Sequence, residues 1–331
     1  MTFSTPTTRR NCLARLLLGW GSTVAWSAHA EALDSTRLLA GFAPGGTVDT
    51  EARHLATRMA GSYAKSVFVD NRPGGGGQIA ISTLKAAPAD GSTLLVTPMS
   101  MLGIYPHTYR KLPYDPFSDL TPVSTAVSVD MAFVVGPLVP STVSDIPQFM
   151  AWCKSNPAQA NFGSPAPGSM PHFVGVLLGR AGGVDLRHIG YRGSQPAIMD
   201  LVGGQIAAVS APVGEFLQHL PGGKLRVLAS SGATRSKFLP HVATLLDQGY
   251  RTLVYGEWHG IFLPGHANPA VVKAANAAVR QALANKEVID ALAAVGLEVR
   301  TSTSEELATV LRSDFERWRG IVKSIGFTAD D

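Results

Sequence analysis

Cysteine is nearly absent from this chain, which has only Cys12 and Cys153 among its 331 residues. A small secreted scaffold held together by disulfides needs several paired cysteines, so this class of protein is excluded. Long hydrophobic runs are missing as well. The mostly apolar stretch at residues 13–26 is shorter than the ~20 residues that span a bilayer. The fold must therefore depend on a buried hydrophobic core.

The short motifs of common enzymes are also missing. The sequence has no G-x-S-x-G turn of a hydrolase, no H-E-x-x-H zinc motif and no G-x-x-x-x-G-K-[ST] phosphate loop. Its nine histidines are scattered rather than clustered with cysteines. The four glycines at residues 74–77 lack the spacing of a dinucleotide-binding G-x-G-x-x-G. We therefore predict that the protein is not an enzyme and holds no metal or cofactor.

The chain has a small excess of basic charge, with 28 Lys and Arg against 24 Asp and Glu. Three of those basic residues, Arg9, Arg10 and Arg15, are the only charges in the first thirty positions. A basic start, the apolar stretch and Ala28-His29-Ala30 are typical of a secretory signal peptide at residues 1–30. We therefore predict a periplasmic protein. The residues leave the export route open, because Arg9-Arg10 suits twin-arginine export but Cys12 replaces its usual bulky apolar residue. A protein with so little remaining basic charge is not expected to bind nucleic acid.

Strand-like and helix-like patterns alternate along the chain through short turns rich in glycine. The first strand patterns cover residues 38–42, 67–69 and 93–97, and the helix patterns after the first two cover residues 48–59 and 79–87. This alternation favours a largely parallel α/β sheet.

The alternation is interrupted at residues 106–123, which we predict as a loop, and restarts at residues 131–135. The interruption predicts two lobes. We expect residues 31–130 plus 254–331 to form lobe one and residues 131–253 to form lobe two. Two hinge crossovers, near residues 123–133 and 253–262, would join them.

Three loops stand where a predicted strand feeds a helix, at residues 44–49, 163–172 and 191–197. The start of a helix has unpaired N–H groups and holds anions, and ligands of open α/β sheets gather at these strand ends. Each loop also has a plain structural interpretation, as a capped turn, a rigid surface loop or a solvated Arg192. The residue types alone leave both interpretations open.

Considered together, the motifs of the chain resemble the substrate-binding receptors of tripartite tricarboxylate transporters, the Bug-type receptors. The resemblance covers most of the chain after the predicted signal peptide, from residue 42 to residue 260. The matching segments are Phe42-Ala43-Pro44-Gly45-Gly46-Thr47-Val48-Asp49, Asn71-Arg72-Pro73-Gly74-Gly75-Gly76-Gly77, Pro88-Ala89-Asp90-Gly91-Ser92-Thr93, Leu112-Pro113-Tyr114-Asp115, Tyr191-Arg192-Gly193-Ser194-Gln195-Pro196-Ala197, Gly222-Gly223-Lys224 and Trp258-His259-Gly260.

The resemblance implies an α/β, two-lobed periplasmic binding protein, similar to type 2, with a central cleft. It implies a monomer without catalytic activity that passes a small carboxylate to membrane permease subunits. The ligand-binding residues that it implies are Pro44, Gly45, Gly46, Thr47, Asp49, Asn71, Gly76, Ser100, Ser164, Gly168, Ser169, Tyr191, Arg192, Gly193 and Ser194.

Departures from the family pattern leave the identity of the ligand open. Pro165 and Pro167 stand in a loop that is usually rich in glycine, and Ala207 replaces an acidic residue. Because the candidate loops supply mainly glycines and hydroxyl groups, we expect helix ends to hold the carboxylate. Thr47 should then matter more for binding than Arg192.

Two other functions remain as alternatives. The same cleft would serve a sensory receptor subunit that reports to a membrane kinase. An exported enzyme that processes a carboxylate would use Ser164 or His172, and it needs a base within hydrogen-bonding reach of its nucleophile.

The predicted signal peptide is tested by the mass of the exported protein. We expect periplasmic material to consist of a chain that starts near Glu31, because cleavage follows the Ala28-His29-Ala30 site. Intact-mass spectrometry measures this directly. A chain that starts at Met1 and stays in the cytoplasm would contradict the prediction.

Overall fold

The computed structural model describes residues 1–3 and 33–329 of the chain. The predicted signal peptide thus lies almost wholly outside the described residues, as does its cleavage site. The chain separates into two units, Met1–Glu31 and Ala32–Asp331. In the first unit only residues 1–3 are described, and they are exposed. The second unit contains ten strands and ten α-helices among its described residues.

The strands are β1 (Leu33–Ala40), β2 (Ala64–Asn71), β3 (Thr93–Pro98), β4 (Leu120–Val135), β5 (Asn161–Ser164), β6 (Arg187–Gly190), β7 (Ala208–Pro212), β8 (Arg226–Ser230), β9 (Gly256–Pro264) and β10 (Glu298–Val299). The helices are α1 (Thr47–Met59), α2 (Gln78–Lys85), α3 (Tyr105–Thr108), α4 (Ile146–Ser155), α5 (Met170–Gly182), α6 (Ser194–Val202), α7 (Gly214–Leu217), α8 (Pro269–Leu283), α9 (Lys286–Ala294) and α10 (Ser304–Ile325).

Strand β4 belongs to two halves of one sheet, whose order is β2-β1-β3-β9-β4-β7-β5-β6, with β8 and β10 also paired to β4. From Leu120 to Asp130 the strand pairs antiparallel with β9. From Met131 to Val135 it pairs with β7 and β8 instead. One continuous strand of 16 residues therefore connects both halves.

The outer strands of both halves are parallel, as the alternating pattern predicts. Strand β1 pairs parallel with β2 and β3, and β5 pairs parallel with β6 and β7. The pairs that β9 makes with β3 and β4 are antiparallel, which the sequence pattern did not reveal. Helices cover the sheet, and residues such as Leu38, Leu55 and Phe133 are almost completely buried beneath them.

The predicted loop at residues 106–123 is wrong at both ends, because Pro106 to Thr108 belong to α3 and Leu120 to Val123 form the start of β4. Pro122 favoured a loop in the sequence, because proline has no N–H group to donate to a neighbouring strand. The strand accommodates this proline where its register with β9 shifts, between Pro122 and Ser124. Helix α10 begins with a capping box, in which the side chains of Thr303 and Glu306 each accept from the other residue's backbone N–H.

None of the helices in the described part of the chain is long and apolar enough to cross a membrane. Cys153 is buried and free, so it forms no disulfide. The described part of the chain is therefore held together by its core and by non-covalent polar contacts.

The junction of Gly214 with Val295 allows a sharp test of this packing. A side chain at position 214 would fall on the backbone carbonyl of Val295, whereas one at Gly222 would meet no atom within 4 Å. Because a clash with backbone cannot be relieved by a rotamer change, we expect Gly214→Ala to lower the free energy of unfolding by about 1–3 kcal/mol or more. Gly222→Ala is the matched control and should change it little. Urea denaturation measures both variants, and equal stabilities would contradict the packing.

Candidate functional site

A cavity of about 780 Å³, counting its open mouth, lies where five strands end. Its walls come from the segments that follow β1, β3, β5, β6 and β7, together with the first residues of β9. The carboxyl ends of the strands in both halves of the sheet thus meet at one site.

Just over half of the predicted ligand-binding residues line this cavity: Pro44, Gly46, Thr47, Ser100, Ser169, Arg192, Gly193 and Ser194. Apolar side chains that include Phe42 and Met101 form much of the remaining wall. Pro165 and Ala166 also lie in the lining, so the substituted loop faces the solute space. Ala207 is fully buried away from the lining.

The other seven predicted ligand-binding residues lie outside the lining, where several support its loops: Gly45, Asp49, Asn71, Gly76, Ser164, Gly168 and Tyr191. The Gly76 carbonyl accepts a hydrogen bond from Tyr105 at 3.2 Å. The Tyr191 hydroxyl donates to Asp200 at 2.7 Å. Loops predicted from the sequence reach the cavity, but the sequence could not tell the residues that face it from those that brace it.

The Asp49 carboxylate shapes the loop that begins α1. It accepts hydrogen bonds from the Gly45 amide, from Arg53 and from Asn71, each at 2.9 Å. Burial raises the pKa of Asp49, but the hydrogen bonds from Arg53, Gly45 and Asn71 outweigh it and hold the pKa below its usual value. Gly45 has a φ of +92°, a conformation that favours glycine. Asp49 and Asn71 therefore fix the loop that presents Thr47.

Glu215 occupies the start of α1 in this structure. Its Oε1 accepts a hydrogen bond from the Thr47 amide at 3.0 Å, and its Oε2 accepts one from Gln195 at 3.0 Å. The amide of Thr47 is therefore not a free donor for a ligand carboxylate, contrary to the expectation for this loop. Glu215 was missed because it lies in α7, a helix of four residues without a sequence pattern.

Glu257 occupies a second backbone donor beside the cavity. The Ser100 amide donates to its Oε1 at 2.8 Å, and the Ser100 hydroxyl accepts from the Met170 amide at 3.0 Å, where α5 begins. Burial raises the pKa of Glu257, because the charged carboxylate loses hydration there. Ser100 thus joins β3, β9 and α5 around the cavity. A charged residue at the start of the apolar strand β9 was a signal that could have identified Glu257.

His259 lines the cavity and pairs with Glu51, which is completely buried. The Nδ1 atom of the ring lies 2.6 Å from Oε2 of Glu51. Burial by itself lowers the pKa of His259, but the nearby carboxylates of Glu51, Glu257 and Glu215 raise it above the usual value. The Glu51 carboxylate therefore favours the charged form of the imidazole.

The enzyme alternative required a base near Ser164, and the structure places His188 there. Its Nε2 lies 2.8 Å from the Ser164 hydroxyl, and burial lowers the pKa of His188 to about 4. His172 instead accepts from the Gly168 amide through Nδ1 at 3.0 Å. Ser164 is fully buried and lies outside the cavity lining. This arrangement braces the loop after β5 and does not present a nucleophile to the solute space.

Among the described residues, no group of three or more His, Cys, Asp and Glu side chains is placed to hold a metal ion. Glu51, His259, Glu257 and Glu215 are the acidic and basic side chains that the sequence analysis did not assign to the site. They give the cavity a polar floor beneath its mainly apolar wall.

Glu51→Gln should lower the pKa of His259, because one of the carboxylates that favour the charged ring is removed while burial remains. In the wild type the folded pKa lies above the ordinary value of 6.5. Protonation of His259 therefore contributes its full stabilisation of the fold below the ordinary pKa of 6.5. This stabilisation is lost as the pH rises through the pKa of His259 in the folded protein.

Two measurements check this prediction. NMR titration, with His259→Gln to assign the signal, gives the pKa in the wild type and in Glu51→Gln. Urea denaturation across the same pH range should show that the stability advantage of the wild type shrinks as pH rises. Glu305→Gln, at an exposed site, is the control. An unchanged His259 pKa in Glu51→Gln would overturn the assignment.

Comparisons with known proteins show the family and the fold of this chain. Residues 51–327 match the model of the tripartite tricarboxylate transporter family receptor. Protein BugT of Bordetella pertussis is 32% identical over 291 residues, which cover 88% of this chain and 89% of BugT.

Two solved structures have the same fold. Periplasmic binding protein BugD superposes with a TM-score of 0.82 at 26% identity, covering 89% of this chain and 99% of BugD. R. palustris Rpa4515 with adipate superposes with a TM-score of 0.84 at 26% identity, covering 89% of this chain and 98% of Rpa4515. The predicted two-lobed α/β binding-protein fold is confirmed, and this chain belongs to the tripartite tricarboxylate transporter receptor family.

Proposed function

We propose that this protein is an extracytoplasmic receptor that binds a small carboxylate and delivers it to the permease subunits of a tripartite tricarboxylate-type transporter. The observation that carries the proposal is the cavity where the strand ends of both sheet halves meet. Family membership supports a receptor rather than an enzyme. The adipate in Rpa4515 supports a carboxylate ligand.

The periplasm is the proposed location. BugD, which shares this fold, is a periplasmic binding protein. The signal-like sequence of residues 1–30 supports the same location. A receptor placed there would meet its permease at the outer face of the inner membrane.

We place the hinge between the lobes near residues 130 and 254. Strand β4 changes its pairing partners between Asp130 and Met131, and the chain returns through β9, which begins at Gly256. Only these two segments would need to bend for the lobes to close on a solute. Hinge closure of this kind is common among periplasmic binding proteins.

A thermal-shift screen of carboxylates is the test of ligand class. The panel contains adipate and other mono-, di- and tricarboxylates, and 1,6-hexanediol is the control that lacks carboxylates. A true ligand at 100 times its Kd should add about 2.7 kcal/mol to the free energy of unfolding. Stabilisation by uncharged analogues but by no carboxylate would contradict the proposal.

Lobe closure is tested with the best ligand from that screen. We expect the radius of gyration from small-angle X-ray scattering to fall on binding, because the two lobes approach each other. The inactive diol is the control. An unchanged radius while calorimetry shows saturation would rule out the hinge mechanism and leave the binding function in place.

A further inference from the structure

Ser231 lies in the fork where β4 and β9 part. Up to Asp130, β4 pairs with β9, and from Ala132 onwards it pairs with β8. Ser231 is the residue that follows β8, and Tyr255 is the residue that precedes β9. The end of β8 and the start of β9 therefore meet beside β4, at the point where we place the hinge.

Four hydrogen bonds join Ser231 to both crossovers at this point. The Met131 amide donates to the Ser231 hydroxyl at 3.0 Å, and that hydroxyl donates to the Tyr255 carbonyl at 2.6 Å. The Ser231 amide donates to the Met131 carbonyl at 2.9 Å, and the Tyr255 amide donates to the Ser231 carbonyl at 2.9 Å. Each crossover is thus held by one bond to the backbone of Ser231 and one to its hydroxyl.

The hydroxyl can make both of its bonds only over a narrow range of spacing between the crossovers. Met131 belongs to the first crossover and Tyr255 to the second. A serine side chain is short, so its oxygen cannot follow two segments that move apart. Hydrogen bonds weaken steeply when they are bent or lengthened. The Ser231 hydroxyl therefore favours the spacing found in this structure.

At that spacing the two proposed lobes touch across the cavity. The Thr47 amide of lobe one donates to Glu215 of lobe two at 3.0 Å. The Met170 amide of lobe two donates to the Ser100 hydroxyl of lobe one at 3.0 Å. The bonds of Ser231 and these two contacts belong to one arrangement of the lobes, the closed one.

We propose that Ser231 is a positioning residue of the hinge, whose hydroxyl ties the two crossovers together and favours the closed arrangement of the lobes. The inference rests on the hinge of the proposed function and goes beyond it by naming the side chain that sets the balance between open and closed lobes. Ser231 lies outside the cavity lining. It acts on the spacing of the lobes without touching a solute.

Ser230 provides a matched control for the Ser231 hydroxyl. The two serines are adjacent in the chain, and each is only 1% exposed. The Ser230 hydroxyl has no hydrogen-bond partner among the residues that the structure describes. Ser230→Ala and Ser231→Ala thus remove the same buried group, but only Ser231→Ala unties the crossovers.

The distance between spin labels on the two lobes tests the proposal. Ile79→Cys in lobe one and Met199→Cys in lobe two provide exposed labelling positions. Double electron–electron resonance without added solute then gives the ratio of the label distance that matches this structure to all others. We expect Ser231→Ala to lower this ratio about threefold to tenfold, because the Met131 amide and the Tyr255 carbonyl lose their hydroxyl partner only in the closed arrangement. Ser230→Ala should keep the wild-type ratio.

Ser231→Cys keeps the proposal testable where Ser231→Ala fails to fold. Its side chain is close in size to serine, but a thiol is a weak hydrogen-bond donor and acceptor. We expect a smaller shift of the label distances in the same direction. Circular dichroism identifies the variants that are folded, and a purely structural role would lower their melting temperatures without changing the distances.

The outcomes separate this inference from the proposed function. Wild-type distances in a folded Ser231→Ala or Ser231→Cys protein would overturn the inference, as would an equal shift in Ser230→Ala. Failure of every carboxylate to bind would overturn the proposed function and leave this inference in place, because the distances are measured without a solute.

Discussion

Strand β4 is the constraint on which the rest of the molecule depends. Because its first eleven residues pair with β9 and its last five with β7 and β8, one strand holds both halves of the sheet. The segments that follow the parallel strands of each half are thereby brought to one place. The cavity, its polar floor and the proposed hinge all follow from this shared strand.

Within that frame, the chemistry of the cavity is decided by side chains that occupy backbone donors. Parallel strands that feed helices create amide groups suited to anions. In this chain Glu215 and Glu257 already accept hydrogen bonds from two such groups. Part of a backbone arrangement typical of anion binding is therefore already partnered by the protein's own carboxylates.

Much of the fold could be predicted from the sequence, because hydrophobic periodicity and glycine turns are local signals. They gave the parallel strands and the loop of Thr47. They did not give β9 as the central antiparallel strand, because pairing between residues 95 and 262 leaves no local trace. Pro122 was misread as part of a loop because a register shift in the sheet accommodates it.

Loops that reach the cavity could be predicted from the sequence, but the directions of their side chains could not. Asp49 and Tyr191 belong to these loops, and their side chains bond to the protein and brace it. Glu215 reaches Thr47 across 168 positions of sequence, so no spacing rule could have indicated it. The direction of a side chain depends on tertiary contacts that a single sequence does not display.

The hydrogen bond from the Thr47 amide to Glu215 makes Glu215 a competitor of any ligand anion for that amide. An anion that seeks the Thr47 amide must displace the Glu215 carboxylate, whose effective concentration is high because it is part of the same chain. Small inorganic anions, which bring only charge, gain nothing from that exchange. A solute succeeds only by adding contacts that Glu215 does not make. Because Glu215 occupies the Thr47 amide as a ligand carboxylate would, it disfavours weak binding of small inorganic anions at that amide.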